Sequence, residues 1–290
     1  MISNTYLVFI RAAENESFNT AAKLLNLTPS AISHAISKLE YELGITLFIR
    51  NKKGVSLTIE GQELLAYAQK IVEQEELLFQ KASLIKGPIN GIVRIGTFSS
   101  VCKCWLPDII ATFIKEYPLS KITVKQGGYA DVMRWIENGE VDLGFLPKTL
   151  CENFSYQFLY KDELLCVLPK SFKSKNEEYV EIDELSDMVL IQQPNENSLE
   201  SKFIQTKQVN NFGSSFMIED DLSMIAVVDS GIGFCISPAM AIIGNERDVL
   251  KKSFYPQEYR DICLAWNTNK IVLPLTKKMQ ECIINYARKI

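Results

Sequence analysis

Histidine is nearly absent from this chain of 290 residues: His34 is the only one. A Ser-His-Asp triad or a histidine-rich metal centre would have to be built on that one residue. No Cys-x-x-Cys pair, Gly-x-Ser-x-Gly elbow or phosphate-binding glycine loop occurs either. No catalytic residue, metal or cofactor is therefore expected. The seven cysteines are an odd number, which argues against a disulfide framework. Cys102 and Cys104 lie one residue apart, so on a helix they point about 200° from one another and share a metal poorly. Also missing is any apolar run near the roughly 18 residues a membrane span needs. The start, MISNTYLVFIRAAENES, has no basic leader before a long apolar core, so no signal peptide and a cytoplasmic location are expected. Net charge is −4, and no general basic field announces nucleic acid. Composition is 47% hydrophobic and 23% charged, that of a soluble globular protein with length for two to three compact units.

What is present is concentrated at the N-terminus. Helical periodicity covers about Asn4 to Asn15, with Leu7, Phe9, Ile10 and Ala13 facing inward. Ser17 can cap a second helix, Phe18 to Leu25, whose Ala21 and Ala22 permit close crossing. Asn26 and Leu27 make a turn. Thr28 supplies a capping hydroxyl and Pro29 suits the first helical position of a third helix. Ile32, Ile36, Leu39 and Leu43 then form one apolar stripe, and Gly44 fits a left-handed stop. The opposite face carries Ser30, Ser33, His34, Ser37 and Lys38, either a solvated surface or one that reads a DNA groove. Thr46–Arg50 and Val55–Thr58 alternate as strands around Asn51-Lys52-Lys53-Gly54, a hairpin with a basic tip. Two short helices, a tight turn and a basic wing form the layout of a winged helix-turn-helix. Lys38, Arg50, Lys52 and Lys53 outnumber Glu40 and Glu42 only slightly, so affinity should rest on geometry and dimerisation.

From Thr58 to Lys86 the pattern is again helical, about 42 Å at 1.5 Å per residue. Leu64, Leu65, Ala68, Ile71, Val72, Leu78, Phe79, Ala82 and Ile85 recur near a 3.5-residue period. That seam suits pairing with a second chain; packing on its own domain is the alternative. Gly87-Pro88 marks a linker. Beyond it, strands at Ile92–Gly96, Lys121–Gln126 and Val141–Leu146 alternate with helices over Val101–Tyr117 and Tyr129–Asn138, which predicts a parallel sheet with helices on both faces. A second set follows: Glu163–Pro169, Met188–Gln192, Ser198–Gln208, Ser214–Ile218, Asp221–Asp229 and Gly233–Ser237. Ile262–Trp266 is a late strand and Pro274–Lys289 a closing helix.

At the level of motifs the chain resembles the LysR-type transcriptional regulators over nearly its full length. The residues that carry the resemblance are Glu16-Ser17-Phe18, Ala21-Ala22, Leu25, Ser30-Ala31-Ile32-Ser33, Ile36, Leu39-Glu40, Leu43-Gly44, Leu47-Phe48, Arg50, and Leu57-Thr58 with Gly61. Further on they are Gly91 to Gly96, Leu106-Pro107, Tyr117-Pro118, Gly139 to Gly144, and Val228 to Phe234 with Pro238. The resemblance implies an α/β chain: a winged helix-turn-helix (1–58), a linker and dimerisation helix (59–87), and an effector-binding domain (88–290) of two periplasmic-binding-protein-like subdomains. Subdomain I would be 88–160 plus 267–290 and subdomain II 161–266, with crossover strands near Tyr160 and Trp266. It also implies a homodimer through the 59–87 helix, commonly a tetramer, on two-fold promoter sites in double-stranded DNA. A small-molecule effector would bind between the subdomains. This chain departs from the family in having Glu16 where glycine is frequent and Pro29 where glutamine is frequent, which removes one possible adenine reader.

The resemblance and the loop positions together assign the candidate sites. DNA contacts are expected from Thr28, Pro29, Ser30, Ser33, His34, Ser37, Lys38, Arg50, Lys52 and Lys53, with Arg50 either near a phosphate or salt-bridged to Glu40 or Glu42. Effector contacts are expected where loops follow strand ends: Thr97, Phe98, Ser99, Ser100 and Val101, then Gln193, Pro194, Asn195 and Asn197, with Met217, Ile218, Phe145 and Pro147 as walls. By resemblance Ser99 or Ser100 holds an effector carboxylate, and Gly231 and Gly233 serve a tight turn and close backbone approach. Polar neutral residues dominate this set and no arginine clamp is evident, which leans away from a dicarboxylate. Two other readings stay open: a thiol-redox regulator acting through Cys102 or Cys104, and a solute-binding protein without DNA function.

Overall fold

The computed structural model describes residues 2–51, 54–86, 91–193, 215–218, 220–244 and 247–290. Lys52, Lys53, Pro194, Asn195, Asn197 and the segment expected over Ser198–Gln208 lie outside them. The chain divides into two compact units, Met1–Gly91 with Asn269–Lys277, and Ile92–Thr268 with Lys278–Ile290.

The first unit opens with α1 (Ile2–Asn15), α2 (Phe18–Leu25) and α3 (Pro29–Leu43). In α1 the buried face is Val8, Phe9, Ile10 and Ala12, whereas Leu7 and Ala13, expected inside, are only half-buried. Caps form as their residue types dictate. Ser17 accepts from Thr20 N at 3.2 Å, Thr28 accepts from Ala31 N at 3.2 Å, and Asn26 and Gly44 close α2 and α3 in the left-handed region. Ile32, Ile36 and Leu39 are buried, but Leu43 is 42% exposed, because the last turn of α3 runs past the core.

Strands β1 (Phe48–Asn51) and β2 (Gly54–Leu57) form the wing, paired antiparallel from Phe48↔Leu57 to Asn51↔Gly54. Glu16 stands at φ 48°, so the family's frequent glycine meets a real conformational demand here. Its carbonyl accepts Val55 N at 3.0 Å, and a Cβ on Gly54 would lie 2.4 Å from that same oxygen. The wing is thus stitched near its turn end to the α1–α2 turn. Glu40 accepts from Leu47 N at 2.7 Å and Phe48 N at 3.2 Å, fixing the strand's start against α3.

Helix α4 (Ile59–Lys86) is a single element of 28 residues. The expected seam divides. Leu64, Leu65, Ala68 and Val72 pack on the core of the helix-turn-helix, while Ile71, Leu78 and Phe79 are exposed, as is Tyr67 outside the expected seam. Packing on its own domain therefore describes the first half of the seam.

The second unit is built on β3 (Gly91–Thr97), β4 (Ser120–Gln126), β5 (Leu143–Pro147), β6 (Ser155–Pro169), β7 (Tyr179–Val180), β8 (Leu190–Gln192), β9 (Ser215–Met217), β10 (Phe234–Pro238) and β11 (Val249–Trp266). Their order is β4-β3-β5-β11-β6-β10-β8-β9, with β7 paired to β11. The parallel pairing expected for the first set of strands is met between β3 and β5. Pairs β3–β5, β8–β10, β8–β9 and β7–β11 are parallel, but β6 and β11 run antiparallel to each other, β6 to β10 and β11 to β5. These two long strands pass through both halves of the sheet, where the sequence pattern shows only Glu163–Pro169 and Ile262–Trp266. Their register breaks between Ser253 and Glu258: β6 continues from Leu165 to Leu164 while β11 inserts four residues.

The helix expected over Val101–Tyr117 is two, α5 (Ser99–Cys104) and α6 (Leu106–Glu116). They part at Trp105, because Pro107 fits only a first turn. Trp105 fills the break, its ring 5.7 Å from Tyr160 and 6.2 Å from Phe145. Helices α7 (Tyr129–Asn138), α8 (Asp221–Asp229) and α9 (Ala239–Ile242) belong to this unit, and α10 (Pro274–Ala287) joins it from Lys278 on.

Candidate nucleic-acid interface and effector cleft

On α3 the side chains Ser30, His34, Ser37 and Lys38 are exposed at spacings of four, seven and eight residues, one continuous face. Thr28 and Pro29 are exposed at its N-terminus, with the Thr28 and Ser30 hydroxyls 2.9 Å apart. Lys38 lies 3.8 Å from Glu42, an exposed i,i+4 pair of little energetic weight. Arg50 meets neither Glu40 nor Glu42. Its Nη2 donates to Ser33 Oγ at 2.9 Å, and its guanidinium lies 5.2 Å from the centre of the Phe18 ring. That arrangement leaves an exposed cation beside α3, aimed by one hydrogen bond and one aromatic face.

In the second unit the strand-end loops meet at β6 and β11. Asp162 on β6 is directly opposite Arg260 on β11, and both are buried. Arg260 Nε donates to Asp162 Oδ2 at 2.8 Å, Nη1 to the Tyr129 hydroxyl at 2.9 Å, and Nη2 to Ser100 Oγ at 2.7 Å. Its guanidinium also lies 4.8 Å from the centre of the Phe98 ring. Asp162 Oδ1 accepts Met240 N at 3.1 Å. One guanidinium therefore joins α5 and α7 to both long strands and, through Asp162, to α9. Burial pushes the Asp162 carboxyl above its ordinary value, against the opposing charge and hydrogen bond of Arg260.

Two further links cross the same region. Lys103 Nζ donates to the carbonyls of Ala241 at 3.2 Å and Ile243 at 2.7 Å, at the end of α9, and Cys104 Sγ donates to Met240 O at 3.5 Å. Gln193 Nε2 donates to Asp221 Oδ1 at 3.2 Å. Burial raises the Asp221 carboxyl, with Arg260 and Lys103 pulling the other way.

The expected effector residues sort accordingly. Ser100, Phe98 and Gln193 border this network, and Ser99 is exposed beside it. Thr97 is buried, its hydroxyl donating to Phe98 O at 3.2 Å. Val101 and Phe145 are wholly buried in the core, and as walls they offer no surface. Met217 is exposed on the edge strand β9. Gly231 stands at φ 85° with open space where a Cβ would project, so its role is conformational; on Gly233 a Cβ would lie 2.2 Å from Val189 O. Arg260, which is not among the expected residues, is the buried guanidinium that binds Ser100 and lies on Phe98. Its partner lies 98 residues away, and nothing local in the sequence distinguishes it from a solvated strand residue. Among the described residues no cluster of metal-ligating side chains is present. All seven cysteines are free, and burial raises the thiols of Cys102 and Cys104.

Comparison with known proteins places both units. Residues 4–62 match the bacterial regulatory helix-turn-helix protein family of the lysR type, and residues 86–288 match the LysR substrate binding domain. The uncharacterized HTH-type transcriptional regulator YvbU of Bacillus subtilis (strain 168) is 30% identical over 263 residues, 89% of each chain. A full-length variant of OxyR from Pseudomonas aeruginosa is similar with a TM-score of 0.73 at 17% identity, over 99% of this chain and 97% of that one. CbnR in complex with its target DNA is similar with a TM-score of 0.55 at 18% identity, over 99% of this chain and all (100%) of that one. The chain belongs to the LysR family of transcriptional regulators, with a helix-turn-helix DNA-binding domain and an effector-binding domain.

Proposed function

We propose that this regulator reads a two-fold promoter site as a cytoplasmic homodimer, and that a small molecule with a carboxylate, bound beside Ser100 and Arg260, sets its activity. The observation that carries the effector site is the Arg260 network. A ligand touching Ser100 there meets the one guanidinium that is tied to α5, α7, β6 and β11 together. On the DNA side, the exposed serines of α3, His34 and the aimed Arg50 support groove reading, with Lys52 and Lys53 assigned to the backbone by sequence. The exposed Tyr67, Ile71, Leu78 and Phe79 on α4 support pairing of two chains, which would present two readers at fixed spacing; a tetramer is the further step that the family resemblance suggests. No catalytic role, metal or cofactor enters this reading.

A thermal-shift screen of metabolites on the full chain tests it, because a ligand that binds only the folded state raises the melting temperature. A hit whose shift is lost in Ser100→Ala is expected; hits indifferent to that change would move the site elsewhere. The thiol-redox alternative is disfavoured by burial, which raises the Cys102 and Cys104 thiols and so lowers their thiolate fraction.

A further inference from the structure

We infer that the segment Asn269–Lys277, which follows the last strand of the effector-binding domain, is a strap on helix α4, and that the ion pair of Lys270 with Glu73 couples DNA binding to the Arg260 network. This rests on the regulatory reading above and names the residues that carry the signal.

The first unit holds a segment from the far end of the chain. Residues Asn269–Lys277 group with Met1–Gly91, although β11 before them and most of α10 after them belong to the second unit. Lys270 Nζ lies 3.0 Å from Glu73 Oε1, with 26% and 22% of the two side chains exposed. Glu73 follows Val72, the last α4 side chain that packs on the core of the helix-turn-helix among the described residues. The ion pair therefore stands where cover of α4 by the DNA-binding core ends. Leu273, Leu275 and Thr276 of the same segment are buried, so the strap is a packed piece of chain. A half-buried pair is screened less than an exposed one, and removing one partner leaves the other charge uncompensated.

From Lys270 the route back to Arg260 runs along the chain and through α7. Trp266 ends β11. Asn267, the next residue, donates from Nδ2 to the carbonyls of Ile136 and Glu137 in the last turn of α7, each at 3.4 Å. Ser155 Oγ donates to Thr268 Oγ1 at 3.3 Å and ties the following residue to β6. At the opposite end of α7 the Tyr129 hydroxyl accepts from Arg260. Between those ends Val132, Trp135 and Ile136 pack with Cys263 and Ala265 of β11 in one buried cluster. One helix thus touches Arg260 at its start and the root of the strap at its end. Close-packed interiors transmit strain, so a displacement of α7 or β11 reaches Asn267 and, three residues on, Lys270. Such coupling is reciprocal: what DNA does to α4 is also felt at α7.

The test needs no effector. Hydrogen–deuterium exchange is followed in the full chain, free and bound to a duplex obtained by selecting random DNA on the same protein. In the wild type, DNA is expected to change exchange about threefold, the scale of one partly buried ion pair, both in the strap and at the C-terminal end of α7. Lys270→Glu and Glu73→Lys should each abolish the change at α7, and the double variant, which swaps the charges, should restore it. An ion pair that only adds stability would alter protection in the variants and leave the DNA-dependent difference at α7 intact. Should a single variant not fold, Lys270→Met and Glu73→Gln remove the charge without reversing it, and the same loss is expected. No DNA-dependent change at α7 in the wild type, a change that survives in the single variants, or a double variant no better than the singles overturns the proposal. The Ser100 reading fails separately: if no ligand acts through Ser100, α7 still answers to DNA through Asn267 and Lys270.

Discussion

Arg50 reaches back across seventeen positions to donate to the hydroxyl of Ser33, so the wing strand and the exposed face of α3 share a hydrogen bond. Arg50→Ala and Ser33→Ala should each weaken binding to a promoter fragment, by roughly tenfold or more for the arginine, which loses both charge and aim. An electrophoretic shift assay at fixed salt measures this. Arg50→Lys is expected to recover little, since one ammonium cannot both pair with Ser33 and lie flat on Phe18.

Gly54 is the position where the wing cannot accept a side chain. Its φ of 149° and the Glu16 carbonyl 2.4 Å from a would-be Cβ make Gly54→Ala a double violation. A loss on the order of 1–3 kcal/mol is expected, seen as a lower melting transition of the DNA-binding unit. The reciprocal change, Glu16→Gly, relieves the left-handed residue and should be neutral or stabilising.

The Asp162–Arg260 pair is buried on both sides, so removing one partner leaves the other uncompensated. Arg260→Met should destabilise the effector unit by about 3–5 kcal/mol. The double variant Arg260→Met with Asp162→Leu should recover a good part of that loss in urea unfolding. A double variant no better than the single one would show that the hydrogen bonds to Ser100, Tyr129 and Met240 matter more than the paired charges.

Asp221 supplies a pH signature. Its folded-state value is raised by burial, so the folded form binds the proton more tightly than the unfolded chain. That contribution is complete below the ordinary carboxylate range and is lost as pH rises through the raised value. Without ligand, Asp221→Asn should therefore gain melting temperature relative to wild type on going from acidic to neutral pH. A constant difference across that range would contradict the assignment.

On α4, Leu78 and Phe79 are exposed near the end that does not pack on the helix-turn-helix. Leu78→Glu with Phe79→Glu should leave the melting transition nearly unchanged, while shifting the mass in light scattering from dimer to monomer and abolishing promoter binding at nanomolar protein.

The helix-turn-helix was legible because its signals are local: Ser17, Thr28, Pro29, Asn26 and Gly44 each act on backbone within a few residues. Leu43 was misplaced for the converse reason, since whether the last turn of α3 finds cover depends on where the core ends. Trp105 shows how a single proline two residues on divides what periodicity joins. In the effector unit the strand ends were found but their pairing was not. Arg260 became a cleft residue only when β11 was laid antiparallel on β6 with Asp162 opposite, a matter of register between segments nearly a hundred residues apart. Glu163–Pro169 looked like a short strand because the first part of β6, Ser155–Asp162, shows no clean two-residue alternation: Tyr156, Gln157 and Phe158 are exposed in succession.

The uneven register of the two long strands brackets the Arg260 network. β11 places Phe254, Tyr255, Pro256 and Gln257 between the partners of Leu165 and Leu164, and β6 places Leu159 between the partners of Ile262 and Cys263. Arg260 and Asp162 stand opposite each other at the middle of the regular stretch between these two offsets. An offset on either strand therefore decides which residue the buried guanidinium meets.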